Sequence, residues 1–486
     1  MKNLYRNDKT QVIDQLAADY LGVDSFELMQ LAGAAVYQHV KDFSELLVVT
    51  GPGNNGGDGF VVAELARQHG QVVHVLALRP VQELQGDARL AAEQYQGELL
   101  SLDDVERLKQ LEFDATLDAV FGTGLNQLVA QSYAEVINWL NQQTVPIIAV
   151  DIPSGLNGST GQIEGVAIRA TQTISILARN TGLYTLDGKD CCGEVLYEAL
   201  GVPESVYQSI DSDGQLLRAQ MLLELPPSRL QNSHKGQFGH VIIAGGQVGM
   251  LGAVLLAARA VLKAGAGSST VVTDSTHANL LPLYSPEIMT HGFDAQNGMS
   301  DLLDQKATDV LLLGMGLGQS AWSKKLFKSC LKAELPLVID ADGLTILAGA
   351  VTIPAQLKVI TPHPKEAAVL LNSTVLEVQQ DRWQAVKQLA QKYKCVAVLK
   401  GSGTLISDGQ QSWCCPYGNA NLATAGSGDV LAGLIAGLMA ERFDAALAAQ
   451  LAVIWHALVG EHNRFGLSMT ASDLLDTLHE VWGHIE

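Results

Sequence analysis

Gly51-Pro-Gly-Asn-Asn-Gly-Gly-Asp-Gly-Phe60 is the stretch on which the fold of the first half turns. An apolar run, Leu46-Leu-Val-Val-Thr50, precedes it and reads as a buried strand. Beyond it, Val61, Val62, Leu65 and Ala66 recur at helical spacing. The order is therefore strand, glycine-rich turn, helix. Five glycines in residues 51–59 leave backbone N–H groups unshielded where a helix dipole is positive, which suits a phosphate. Asn54 and Asn55 add carbonyl oxygens that suit a nucleotide or a hard monovalent cation. A plain tight turn is the bland alternative, and the paired asparagines with Asp58 at the helix start weigh against it.

Working outward, residues 9–41 read as helical and precede the first strand, so they are expected outside the sheet or against another subunit. Further strands are expected at Val72–Leu78, Ala115–Phe121, Pro146–Val150 and Gln172–Leu177, with helical patterns between them. Such alternation indicates a mainly parallel, Rossmann-like three-layer α/β sandwich. Ligands gather at the carboxyl ends of such strands. Three motifs fall there: the glycine stretch, Asp118-Ala-Val-Phe-Gly-Thr-Gly-Leu-Asn-Gln-Leu128, and Asp151-Ile-Pro-Ser-Gly155. For Asp118 or Asp151 alone, a cap or a surface strand end is the ordinary reading. Three motifs on one sheet edge lower its weight.

A chain of 486 residues is expected to hold two domains. Its net charge of −20 argues against nucleic acid and against an anionic membrane surface. No apolar run is long enough to span a membrane, and the start lacks a signal-peptide core, so a cytoplasmic protein is expected. The six cysteines show neither C-x-x-C nor zinc spacing and read as buried reduced thiols.

Asn54-Asn-Gly-Gly-Asp-Gly59 resembles the signature of the NAD(P)HX epimerases, which act on nicotinamide coenzymes damaged by hydration. The resemblance covers roughly residues 1–215 and matches the three motifs in order. It implies K+ held by Asn55, Asp118 and Ser154. It implies substrate contacts from Asn54, Asn55, Gly56, Gly57 and Asp58, and from Gly122, Thr123, Gly124, Leu125, Asn126, Gln127 and Leu128. Tyr133 and Asp151 complete that set, with Asp151 as the acid/base group. A tyrosine in an amphipathic segment is more often packing.

Residues 200–235 break the pattern, and Gly201-Val-Pro, Ser209–Gln215 and Pro226-Pro227 read as a linker with a boundary near 215–225. A second α/β domain follows, with strands expected at His240–Ala244, Ser269–Thr273, Val310–Leu313, Leu337–Asp340, Lys358–Thr361 and Val396–Lys400. The spacing of Gly246, Gly249 and Gly252 is a poor dinucleotide fingerprint. The strongest signal is Asn421-Leu-Ala-Thr-Ala-Gly-Ser-Gly-Asp-Val-Leu-Ala-Gly433. Gly426, Ser427 and Gly428 open an apolar helix whose amides can hold a phosphoryl group, while Asp429 can take a proton from an attacking hydroxyl. A capped helix with Asp in its first turn is the plainer reading.

This stretch is similar to the anion-hole helix of the ribokinase-like superfamily. Together with Ser233-His-Lys-Gly236, Asp340-Ala-Asp-Gly343 and Thr361-Pro-His-Pro364, it resembles the ADP/ATP-dependent NAD(P)HX dehydratases over roughly 225–486. The resemblance implies hydrated-coenzyme contacts at Ala253, Gly316, His363 and Asp429. It implies nucleotide contacts at Lys400, Gly401, Ser402, Gly403, Thr404 and Gly428, with ADP or ATP as phosphoryl donor and Mg2+. Glu366 and Asp342 are candidates for ordering metal-bound water. Lys365 stands where a glycine is usual, which questions the local magnesium or phosphate geometry. His363 reads equally as a ligand or as a satisfied structural histidine.

The expectation is a two-domain enzyme, epimerase at 1–215 and dehydratase at 225–486. It takes small-molecule nucleotides and NAD(P)HX and assembles as a homo-oligomer. The alternatives are a ribokinase-like kinase for a small alcohol or vitamin precursor with a regulatory first domain, and a non-catalytic first domain serving interaction.

Overall fold

The computed structural model describes residues 2–225, 229–294 and 308–485. The chain forms two compact units, one spanning Asn3–Gly214 and the other consisting in the main of the residues from Gln215 onward. The Pro226-Pro227 pair of the expected linker lies outside the described residues. Among the described residues, no helix is long and apolar enough to cross a membrane. All six cysteines are free and buried.

In the first unit, seven strands form one sheet: β1 Glu45–Thr50, β2 Val72–Ala77, β3 Leu99–Leu100, β4 Ala115–Ala119, β5 Ile147–Val150, β6 Gln172–Ile176 and β7 Glu194–Glu198. Their order is β3-β2-β1-β4-β5-β6-β7, and every pairing is parallel. Strand residues alternate between two buried faces, as a sheet covered on both sides requires. Leu46, Val48 and Leu117 face helices α2 (Ser25–Val40) and α3 (Asn54–Gln68), meeting Val36, Val40 and Phe60. Leu47, Val49 and Leu76 face the helix Gln131–Leu140 on the other side. The amino-terminal helical segment thus divides. Helix α2 covers a sheet face within this chain rather than a second subunit, while α1 (Asn7–Leu21) packs through Ile13 and Ala17 against Leu177 and Tyr207.

The strand order reverses between β1 and β4, so a crevice lies at their carboxyl ends. The glycines make that crevice tight. A Cβ on Gly51 would fall 1.9 Å from the carbonyl oxygen of Val120, and one on Gly56 would fall 2.1 Å from that of Gly51.

The second unit repeats the plan. Its strands are β8 His240–Ala244, β9 Ser268–Asp274, β10 Met289–Phe293, β11 Val310–Leu313, β12 Leu337–Ile339, β13 Leu357–Ile360, β14 Val396–Leu399, β15 Leu405–Ser407 and β16 Ser412–Cys414. They run in the order β16-β15-β14-β13-β12-β11-β8-β9-β10. Pairing is parallel except at β14–β15 and β15–β16, and on its far side β16 pairs in parallel with Gln215 and Leu216. The order reverses between β8 and β11, and Gly245 closes on Met315 there, with a Cβ 2.2 Å from the Met315 oxygen.

Helix α5 (Ser427–Ala440) lies against α4 (Leu251–Lys263) along a stripe of small residues. A Cβ on Gly433 would come within 2.4 Å of the Ala257 oxygen, and one on Gly437 within 2.6 Å of the Ala264 Cβ. Gly433 is therefore explained by helix packing. Gly433→Val should destabilise the second unit by about 1–3 kcal/mol through overpacking, read as a lowered urea midpoint. An unchanged midpoint contradicts the close approach.

Candidate active sites

A cavity of about 530 Å³ opens beside the β1–β4 switch of the first unit. Its walls include Pro52–Asn55 and Asp58 from the glycine turn, Val120–Gln127 from the loop after β4, and Asp151 after β5. Helix α1 contributes Thr10, Gln11 and Asp14, which share one face. That helix is pinned over the loops: the Asn7 side-chain amide donates to the Thr123 carbonyl at 2.7 Å, and its backbone N–H to Ser159 Oγ at 2.9 Å.

Asp118 and Ser154 are fully buried and bonded to each other. Ser154 donates its hydroxyl to Asp118 Oδ1 at 2.5 Å and its backbone N–H to Oδ2 at 2.7 Å. Burial nonetheless pushes the Asp118 carboxyl up to about 6, against the pull of those bonds. Asn55 packs its side chain against Gly122, and its buried Nδ2 has no partner. A buried carboxylate without a cation and a buried amide without a partner fit a monovalent cation, because turning the amide over presents its oxygen instead.

Asp151 sits at φ 63°, a conformation that a residue with a Cβ adopts only under strain. Its backbone N–H donates to the Ile174 carbonyl at 2.8 Å, which fixes the turn. Burial, then the charge of Asp14, pushes its carboxyl up to about 7. Burial pushes Asp58 well up as well, with Asp151 and Asp14 adding to the effect. A carboxyl that ionises near neutrality can both give and take a proton.

Of the residues expected from sequence, Asn54, Asn55, Asp58, Gly122, Thr123, Gly124, Leu125, Asn126, Gln127 and Asp151 line this cavity. Gly56, Gly57, Leu128 and Tyr133 stand outside the lining. Gly56 and Gly57 are small because α3 packs closely, on Gly51 and on Met29 respectively. Leu128 is 72% exposed, and Tyr133 tilts against Phe121 at 5.4 Å. Asp14 went unnoticed in the sequence because a carboxylate on the polar side of an amphipathic helix reads as solvated.

In the second unit, Gly426 takes φ 88° as the N-cap of α5, turning the first-turn amides and Asp429 toward Lys400 and Asp340. A Cβ on Gly428 would lie 3.4 Å from Lys400 Nζ and 3.8 Å from Asp340 Oδ2. Lys400 pairs with the buried Asp340 at 2.8 Å and reaches Glu366 at 3.9 Å. Burial, then the Asp340 charge, raises the Asp429 carboxyl to about 7. Asp340 is the partner that sequence reading passed over, although it opens the quoted Asp340–Gly343 motif.

The remaining expected residues sort by what holds them. Ala253 meets Gly316, its Cβ 3.3 Å from where a Gly316 Cβ would sit. Gly401 and Gly403 have φ 137° and 60°, and Thr404 Oγ1 donates to the Gly401 carbonyl at 3.1 Å, so Lys400–Thr404 forms the turn between β14 and β15 with Ser402 exposed. Buried Arg382, from the helix Arg382–Tyr393, donates to the Leu399, Lys400 and Gly403 carbonyls at 3.3–3.5 Å and braces that turn. His363 caps the helix Pro364–Leu371: its Nδ1 accepts the N–H groups of Lys365 and Glu366, and Glu366 Oε2 accepts the His363 N–H at 2.8 Å. The cap forms with the Lys365 side chain exposed, so that departure leaves it intact. Asp342 Oδ2 accepts the Gly318 N–H at 2.8 Å and braces the loop after β11. The Ser233–Gly236 motif lies before β8, at the amino edge of the sheet, away from these groups. Among the described residues, no group of three or more His, Cys, Asp and Glu side chains could hold a metal ion by itself. A magnesium ion here fits only as one held largely by phosphate oxygens and water.

A family profile described as NAD(P)H-hydrate dehydratase matches residues 241–480, and one described as YjeF-related protein N-terminus matches residues 25–182. The chain is 38% identical over 468 residues to the bifunctional NAD(P)H-hydrate repair enzyme of Coxiella burnetii, covering 95% of each chain. It is 37% identical to the Escherichia coli protein of the same description, covering 96% of this chain and 91% of that one. Among solved structures, the ADP/ATP-dependent NAD(P)H-hydrate dehydratase of Bacillus subtilis, co-crystallised with ATP and Mg2+, superposes with a TM-score of 0.50 at 27% identity. That match covers 56% of this chain and 99% of that one. A ribokinase-like superfamily protein of Enterococcus faecalis superposes with a TM-score of 0.52 at 27% identity, covering 56% of this chain and 96% of that one.

Asp340→Asn leaves Lys400 without its 2.8 Å partner in a largely buried setting. It should destabilise the second unit by about 3 kcal/mol, measured by urea unfolding. No change in midpoint contradicts the pairing.

Proposed function

The chain belongs to the bifunctional NAD(P)H-hydrate repair enzymes, and on that footing we propose how its residues divide the two reactions. The protein repairs hydrated nicotinamide coenzymes, epimerising the hydrate and dehydrating it at the expense of a nucleotide phosphate. We assign epimerisation of R- and S-NAD(P)HX to residues 1–215 and dehydration of the S epimer to residues 225–486. The observation that carries this division is an aspartate in each unit, Asp151 and Asp429, whose carboxyl burial raises to about 7.

In the first unit, the coenzyme hydrate enters the cavity against Asn54 and Gly122–Gln127, and Asp151 exchanges a proton with its carbinol group. Asn55, Asp118 and Ser154 would hold K+, which would supply a fixed positive charge beneath the loop. In the second unit, hydroxide is a poor leaving group and a phosphorylated hydroxyl a good one. Asp429 takes the hydroxyl proton as the hydroxyl attacks the terminal phosphoryl group of ADP or ATP. The amides of Gly426–Gly428 and the Lys400 ammonium stabilise the developing charge, with the Lys400–Thr404 turn against the nucleotide. Mg2+, ordered through water by Glu366 and Asp342, would supply further charge on the phosphate oxygens. The ring nitrogen lone pair then expels phosphate as a C=N bond forms, and loss of a proton from the adjacent ring carbon returns the dihydronicotinamide. Ala253, Gly316 and His363 face the hydrate in this reading. We also infer that the protein is cytoplasmic and homo-oligomeric.

Asp429→Asn should lower S-hydrate dehydration by about 10²–10⁴-fold, followed as regained near-ultraviolet absorbance of the dihydronicotinamide. Asp151→Asn should block recovery of the R epimer alone. Full activity in Asp429→Asn contradicts the assignment, and a small-alcohol kinase shows no recovery in any variant.

The potassium site makes a separate expectation about stability. Asp118 ionises at about 6 in the fold against 3.8 for a free carboxyl, so the fold holds a proton that the unfolded chain sheds. Stability therefore falls as pH rises from about 4 to about 6 and stays lowered above that. K+ beside the carboxylate should recover the loss. It should raise Tm above pH 6 relative to matched lithium chloride, with little effect below pH 4 and none in Asp118→Asn. Equal shifts at both pH values contradict the site.

A further inference from the structure

We propose that Asp14 is a second proton-handling group of the epimerising site, acting on the carbinol from the α1 wall while Asp151 acts from the strand edge. This rests on the assignment of epimerisation to the first unit and deepens it. Asp14, Asp58 and Asp151 all line the one cavity, but they come from α1, from α3 and from the turn after β5. Helix α1 is fixed there by the Asn7 bond to the Thr123 carbonyl, and Thr10, Gln11 and Asp14 continue along its cavity face. Asn55, a residue only 8% exposed, lines the same space and carries a buried Nδ2 without a hydrogen-bond partner.

Among the described residues, no lysine, arginine or histidine lines the cavity. The titratable groups around Asp14 are Asp58, Asp87 and Asp151 across the cavity and Tyr207 behind α1. Asp14 is open to water through the mouth, and the protein atoms packed around it still push its carboxyl up, to about 6.

Inversion at a carbinol carbon bonded to nitrogen needs a proton delivered to one face and removed at the other. The Asp14 carboxyl gives its proton to the hydroxyl oxygen. The C–O bond breaks, the ring nitrogen lone pair forms a C=N bond, and water leaves. A water then adds to the opposite face: the new C–O bond forms, the C=N pair returns to nitrogen, and the Asp151 carboxylate takes the released proton. Nothing is oxidised or reduced. The reverse conversion exchanges the two roles, and bulk water resets the carboxyls through the mouth.

The test uses the full chain with K+ and compares Asp14→Asn, Asp14→Glu and Asp151→Asn in conversion of the R epimer, with S-hydrate dehydration as the control for folding. Asp14→Asn should lower epimerisation about 10²-fold or more, leave dehydration unchanged, and turn a two-limbed pH profile of kcat/KM into a single-limbed one. Asp14→Glu should restore the second limb in part. In ¹⁸O-water, inverted product from the unaltered chain should carry solvent oxygen. Full epimerisation in Asp14→Asn, a loss with both limbs kept, or inverted product without label overturns the proposal. If Asp151→Asn itself epimerises normally, the assignment of the site fails instead.

Discussion

An aspartate carried to the carboxyl end of a parallel strand has to be reconciled with burial, and both units are built around that requirement. An unpaired carboxylate deep in protein costs several kcal/mol in lost hydration. Asp340 meets it with the Lys400 ammonium at 2.8 Å. Asp118 meets it with the hydroxyl and N–H of Ser154, and still ionises only at about 6. Asp151 accepts one backbone N–H, from Ile176, and Asp429 has Lys400 nearby, yet burial leaves both ionising at about 7. In the proposed division of roles, Asp340 and Asp118 hold the loops, and the two carboxyls that ionise near neutrality handle the protons.

The loops that carry these groups are held by contacts too close for any side chain. Gly51 lies on Val120, Gly245 on Met315, and Gly314, at φ 130°, on Asp340. Each contact joins loops that follow neighbouring strands on either side of a switch or beside it. Donors and carboxyls are thus positioned before substrate arrives, which is the condition for electrostatic stabilisation of a transition state. The strain at Asp151, φ 63°, is of the same kind: the turn is fixed by its N–H bond to Ile174 and points the carboxyl into the cavity.

Much of this was legible in the sequence where residue type and position carry one meaning. The buried central strands stood out as apolar runs, and Leu46–Thr50, His240–Ala244 and Val310–Leu313 fall within a residue of the observed elements. Asn55, Asp58, Asp151, Lys400 and Asp429 sat in motifs at strand ends. Edge strands such as Glu194–Glu198 and Met289–Phe293 escaped because they are only half-buried and mix polar with apolar residues. Asp14 escaped because it is exposed to water and yet also lines the cavity, which a helical pattern alone does not reveal. Glycine was ambiguous: in the stretch 51–59 it was read as bare amide for a ligand, whereas Gly51, Gly56 and Gly57 serve close backbone packing and only Gly53 faces open space. Gly433 likewise belongs to the contact between α5 and α4.

The central claim is that Asp151 in the first unit and Asp429 in the second carry carboxyls that change charge near neutrality. It is tested most directly by ¹³C NMR of the chain labelled at aspartate side-chain carboxyls, titrated in the absence of substrate. The account predicts two resonances with midpoints at about 7, one lost in Asp151→Asn and the other in Asp429→Asn. Both resonances titrating near 3.8, the value of a free aspartate, would contradict it.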